Sequence, residues 1–133
     1  MVSDYCNHRI QVFRYIDGAH LRTIGSRGTG NGQFNGPFGI AFDGAGHIIV
    51  SEWGNHRVQV LRYSDGAHVI TIGSRGSGNG QFDSPKGIAV DGEGNIAVFD
   101  STNCRVQVHR LSDGAYMRTI GSRGSGNGQF AGV

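Results

Sequence analysis

The sequence predicts an all-β chain of β-propeller blades, each a four-stranded antiparallel meander, with about three blade equivalents in its 133 residues. Three observations predict it. The chain repeats itself every 48 residues: "NHRIQVF" begins at Asn7, "NHRVQVL" at Asn55 and "NCRVQVH" at Asn103. Each unit holds four short runs rich in Val, Ile and aromatic residues, bounded by Gly, Asp and Asn. No segment carries a helical period of useful length. Four short strands recurring at this interval make one blade, and a blade cannot bury its own faces, so blades stack on neighbours.

The second unit justifies each element in turn. "GIAF" (39–42), "HIIVSE" (47–52), "RVQVLRY" (57–63) and "HVITIG" (68–73) are the strands. "DGAG" at 43–46 and "SDGA" at 64–67 supply hairpin turns, and "WGN" at 53–55 turns the chain between the second and third strands. In the third strand Val58 and Val60 alternate with Arg57, Gln59 and Leu61, giving two faces. The whole chain, 1–133, reads as one domain: a partial blade over 2–25, full blades over about 37–73 and 85–121, and a C-terminal connector over 122–133.

Composition narrows the function classes. Twenty-four glycines without a three-residue period exclude collagen, and the regular hydrophobic runs argue against disorder. A formal net charge of +2, with Lys86 the only lysine, gives no general basic field for sequence-independent nucleic-acid binding. The N-terminus lacks a basic segment followed by an apolar one, and no apolar run is long enough to span a membrane. A cytoplasmic chain without a membrane partner is the expectation. Cys6 and Cys104 occupy different repeat positions and read as free thiols in a reducing compartment.

The segment "GSRGTGNGQF" (25–34) returns as 73–82 and 121–130 almost letter for letter. Its Gly28, Gly30 and Gly32 have the spacing of a phosphate cradle, but a strand follows where such a site needs a helix N-terminus, and no G-K-[ST] closes it. It reads as the connector between blades.

The two blocks "N-H-R-[IV]-Q-V" and "G-x-x-G-x-G-N-G-Q-F-x-x-P-x-G-I-A-V-D-G-x-G-N-I", at fixed spacing in each unit, resemble the NHL repeat family. The resemblance covers essentially the whole chain. It implies a β-propeller, commonly of six blades, that serves as a recognition module for proteins and, in some members, for RNA through a basic face. It also implies a distant enzymatic relative, the metal-dependent peptidylglycine amidating lyase. Three units are fewer than a family propeller has.

Candidate site residues fall at repeated positions. A carboxylate precedes each signature arginine by five residues: Asp4 and Arg9, Glu52 and Arg57, Asp100 and Arg105. Across a tight turn each pair holds a hairpin shut. Phe34, Phe82 and Phe130 precede the next unit's first strand and plug the space between blades. Arg27, Arg75 and Arg123 share one loop position and would line one face of a ring, suited to RNA or acidic peptides, with Trp53 and Tyr5 as the only nearby aromatic platforms. His8, His56 and Cys104 share another position and read as turn-borne surface residues rather than metal ligands, because no local ligand pair accompanies them. His20, His68 and Tyr116 open the fourth strand as surface residues.

No catalytic constellation assembles, and no cofactor or metal is called for. The expected function is a non-catalytic interaction module whose first partner is itself. The opening Val2-Ser3-Asp4 aligns with the end of a second strand, as in a fragment of a longer array, natural or engineered. Three open-ended blades would expose apolar faces, so a head-to-tail homodimer closing six blade equivalents is expected, with larger rings of three chains as the alternative. RNA or acidic-peptide binding, and an amidating-lyase-like metalloenzyme fragment, are the rival readings.

Overall fold

A computed structural model describes residues 1–131; the last two positions of the expected connector, Gly132 and Val133, lie outside the described residues. Strand propensity and turn chemistry coincide along most of the chain. The second unit forms β4 (Pro37–Phe42), β5 (His47–Glu52), β6 (Arg57–Arg62) and β7 (His68–Ile72), hydrogen-bonded in that order. The third repeats it with β8 (Pro85–Val90), β9 (Asn95–Asp100), β10 (Arg105–Arg110) and β11 (Tyr116–Ile120). The first unit has three strands, β1 (Val2–Asp4), β2 (Arg9–Phe13) and β3 (His20–Ile24). Every neighbouring pair in these three sheets is antiparallel, so each sheet is a blade-like meander.

The Asp-Gly hairpins close as their chemistry dictates. Asp65 accepts the Ala67 N–H at 3.0 Å and pairs with Arg62 at 2.6 Å, and Asp113 does the same with Ala115 and Arg110. The inner strands start two residues before the "GIA" run, at Pro37 and Pro85, because a proline suits a strand's first position. A register shift follows at Phe38–Gly39 and brings β4 against β8. A Cβ on Gly39 would sit 2.2 Å from the Lys86 carbonyl oxygen, so glycine is required there.

The core lies between sheets rather than within one. Ile10, Val12 and Ile24 of the first unit pack on Phe34, Ile48, Val50 and Leu61 of the second. Val58, Val60 and Ile72 on the other face of the second unit pack on Phe82, Ile96 and Val98 of the third. The middle sheet is thus covered on both faces, as the alternation along β6 demands.

Two local features add to or differ from the sequence reading. The connectors between blades are closed loops: the Phe34 N–H donates to the Ser26 carbonyl at 2.7 Å and the Gly28 N–H to the Phe34 carbonyl at 3.0 Å. In the third copy this closure is a short parallel pair, β12 (Ser122–Arg123) with β13 (Gln129–Phe130). The glycines permit it, since Gly25 and Gly73 take positive φ and a Cβ on either would lie within 2.4 Å of the phenylalanine ring that ends its loop. Cys104, expected at the surface, is buried. Its thiol donates to the Ser101 carbonyl at 3.6 Å within the turn, while His8 and His56, with the same left-handed φ, are half-buried.

Candidate functional site

In the second and third units, the turn joining the second and third strands meets the end of the preceding connector at one end of the sheets. Trp53 N–H donates to the Gly36 carbonyl at 2.8 Å and Gly54 N–H to Asn35 at 2.9 Å, fixing that meeting. Beneath it sits a polar hub. Glu52, fully buried, accepts from Arg57 Nε at 2.5 Å, Asn55 Nδ2 at 2.7 Å and Gln59 Nε2 at 2.9 Å. Asp100, also fully buried, accepts from Arg105 Nε at 2.8 Å and Asn103 Nδ2 at 2.9 Å. Burial of these carboxylates is tolerable because each is paired and multiply hydrogen-bonded.

The hub does more than hold its hairpin. Arg57 donates through Nη1 to the Thr29 carbonyl at 2.8 Å, and through Nη2 to Gly30 and Gln33, both at 3.0 Å. Asn55 donates to the Gly28 carbonyl at 2.9 Å, and Gln59 accepts the Gly32 N–H at 2.9 Å while donating to Gln33 at 2.6 Å. In the third unit Asn103, Arg105 and Gln107 bind Gly76, Ser77, Gly78, Gly80 and Gln81 through the same atoms. Each hub therefore clamps the backbone of one glycine-rich connector. Sequence reasoning passed over the asparagine and glutamine of this set. The signal was present, since a glutamine sharing a strand face with Leu61 is a polar group placed at the core's edge.

The first hub has the same internal wiring. Arg9 Nε lies 2.8 Å from Asp4, and Asn7 and Gln11 each donate to Asp4 at 3.1 Å. The hydrogen bond from Arg9, then that from Asn7, hold the Asp4 carboxyl below the usual carboxylate range. No connector covers it among the described residues, and the Asp4 and Arg9 side chains are 23% and 39% exposed.

The three plug positions differ in the same sense. Phe34 and Phe82 are fully buried, whereas Phe130 is half-buried and stacks on Phe99 at 5.4 Å between ring centroids. The apolar faces follow suit. Ile72 is 3% exposed and its repeat equivalent Ile120 is 42% exposed; Val50 is 0% exposed and its equivalent Val2 is 53% exposed. Val106 and Val108 are half-buried where Val58 and Val60 are buried.

Arg27, Arg75 and Arg123 are exposed on the connectors, and Arg123 Nη2 donates to the Thr102 carbonyl at 2.7 Å. Close to the same end, exposed Tyr5 makes edge contacts with Phe38 and Trp53 at 6.2 and 6.4 Å. His8 and His56 are half-buried and accept the Gly36 and Ser84 N–H groups through Nδ1, an assignment of turn-fixing atoms rather than ligands. His20 and His68 bond Thr23 and Thr71 beside them, and Tyr116 bonds Thr119. Among the described residues no group of three or more His, Cys, Asp or Glu could hold a metal ion, and no helix is long and apolar enough to cross a membrane.

The chain matches the NHL repeat family over residues 34–61 and 82–108. Each match spans a plug phenylalanine, an inner hairpin and the clamp strand. No curated protein matches the chain.

Proposed function

Because this chain is an NHL-repeat protein, we propose that it is a non-catalytic propeller-type interaction module that self-associates head to tail into a closed ring. The observation that carries this is the pair of open apolar faces. The face of Val106, Val108 and Ile120 is the repeat equivalent of the one that meets Phe82, Ile96 and Val98 inside the chain. At the other end Val2 and Phe13 stand where Val50 and Leu61 are buried. Open apolar surface of this kind favours association, and heterologous contacts close when the rotation completes a ring. Two copies supply six blade positions, three from each chain.

Sedimentation velocity across a range of concentrations tests the reading. A species of twice the chain mass is expected, shifting to monomer in Ile120→Asp. A parent that stays monomeric at every concentration overturns it.

A second reading uses the exposed Arg27 and Arg75 together with the exposed Tyr5–Phe38–Trp53 cluster, a combination that suits stacked and anionic partners such as RNA or an acidic peptide. Salt-sensitive RNA binding lost in the Arg27/Arg75/Arg123→Ala variant supports it; salt-insensitive or absent binding removes the RNA partner.

A further inference from the structure

We propose that Asp4, Asn7, Arg9 and Gln11 form a docking site for the glycine-rich connector, residues 121–130, of a second copy of this chain. The inference rests on the self-association reading but is carried by polar groups rather than by the apolar faces. Twice within the chain an Asn-x-Arg-x-Gln strand clamps a connector through the same atoms, at distances of 2.5 to 3.0 Å. The third such strand, Asn7 to Gln11, is wired around Asp4 like the others and clamps nothing among the described residues.

The third connector is likewise complete and unclamped among the described residues. Its Gly124 N–H donates to the Phe130 carbonyl at 3.0 Å, Gln129 N–H to Gly126 at 3.1 Å, and Gly126 N–H to Gln129 Oε1 at 3.0 Å. The first connector closes with the same three bonds at 3.0, 3.1 and 3.1 Å. Its shape therefore does not depend on a clamp, and the carbonyls a clamp needs are displayed in advance. Preorganisation on both sides lowers the ordering cost of docking.

The register follows from the repeat. Asn7 would donate to the Gly124 carbonyl, and Arg9 to those of Ser125, Gly126 and Gln129. Gln11 would accept the Gly128 N–H and donate to Gln129. The occupant is fixed by this pattern: a backbone bearing those carbonyls in that curve, which the chain itself carries, rather than a generic acidic or apolar ligand.

The test is a complementation by sedimentation. Arg9→Ala/Gln11→Ala disables the clamp, and Phe130→Ala loosens the connector on the other side of the junction. The clamp variant is expected to associate at least about tenfold more weakly than the parent, the effect of losing hydrogen bonds from a charged donor, and Phe130→Ala is expected to associate more weakly through loss of the ring that packs on Phe99. Mixed in equal amounts they restore one of the ring's two junctions, where the connector of the first meets the clamp of the second, and tighter association than that of the weaker variant alone is expected. Circular dichroism and Trp53 emission, recorded on both variants, check that each keeps its sheets. A parent that self-associates while Arg9→Ala/Gln11→Ala associates equally tightly overturns the docking site and leaves the self-association reading standing. A parent monomeric at all concentrations overturns both.

Discussion

Replacing Asp100 by asparagine keeps the side-chain shape and removes the charge beneath the third hub. Arg105, whose side chain is only 12% exposed, would then face a neutral amide where it had a carboxylate at 2.8 Å. Breaking a buried ion pair by removing one partner costs about 3–5 kcal/mol. Arg105 keeps three carbonyl acceptors on the connector, at Ser77, Gly78 and Gln81, which places the change near the lower end, about 3 kcal/mol. Asp4→Asn makes the same substitution where the pair is partly exposed and solvent screens it, and there a clearly smaller effect is expected. Urea unfolding followed by the emission of Trp53, the single tryptophan, separates the two. With a denaturant slope of about 2 kcal/mol/M, the Asp100→Asn midpoint falls by about 1.5 M and the Asp4→Asn midpoint by clearly less. Equal shifts, or a larger shift for Asp4→Asn, would refute the claim that connector coverage makes the pair count.

Gly73→Ala drives a Cβ to 2.4 Å from the Phe82 ring at a φ of +86°, whereas Gly80→Ala meets nothing within 4 Å at a φ of +80°. Both carry the left-handed penalty of about 1–2 kcal/mol, so a melting temperature clearly lower for Gly73→Ala is expected, and equal values would contradict the steric role of the plug. Burial holds the His109 imidazole below its ordinary pKa of 6.5, against the opposing pull of the Gly114 carbonyl. The unfolded chain then binds a proton that the folded one refuses, so stability declines as pH falls below 6.5; His109→Leu, copying Leu61 of the middle unit, should flatten that decline in chemical denaturation at several pH values. Asp65 and Asp113 are lowered to about 2, first by their hydrogen bonds from Arg62 and Arg110. Their contribution is present above the ordinary carboxylate range and is lost as pH falls through about 2, and NMR titration of Arg110→Ala should return Asp113 toward its usual value while leaving Asp65 in place.

The strands were legible because period and punctuation agree: "HIIVSE" is β5 to the residue, and the Asp-Gly turns stop the outer hairpins. The starts at Pro37 and Pro85 were less so, since a register shift leaves no mark in composition. Of the hub, the carboxylate and arginine show in the sequence through charge and a spacing that spans one turn. Asn55 and Gln59 carry no charge, and their partners are backbone carbonyls 26 and 27 residues away, which no side-chain pattern encodes. The closed form of the connectors was hidden for the same reason. Its bonds run between main-chain groups, and the glycines report only that positive φ is allowed. The burial of Cys104 is not visible in the sequence, because a turn position does not by itself mean exposure and its thiol instead meets the Ser101 carbonyl.

Three clamps of one chemistry and three connectors of nearly one sequence pose a problem of sorting, since each clamp recognises backbone and so accepts any of the three loops. Tether length resolves it. Asn55 lies 27 residues after Gly28, and Asn103 lies 27 after Gly76, so each of these clamps meets its own loop at the millimolar effective concentration of a short tether. A loop on another molecule at micromolar concentration competes poorly for an occupied clamp. Exchange between chains, in the proposed ring, would thereby be confined to the clamp at Arg9, and correct pairing would need no chemical difference between the copies.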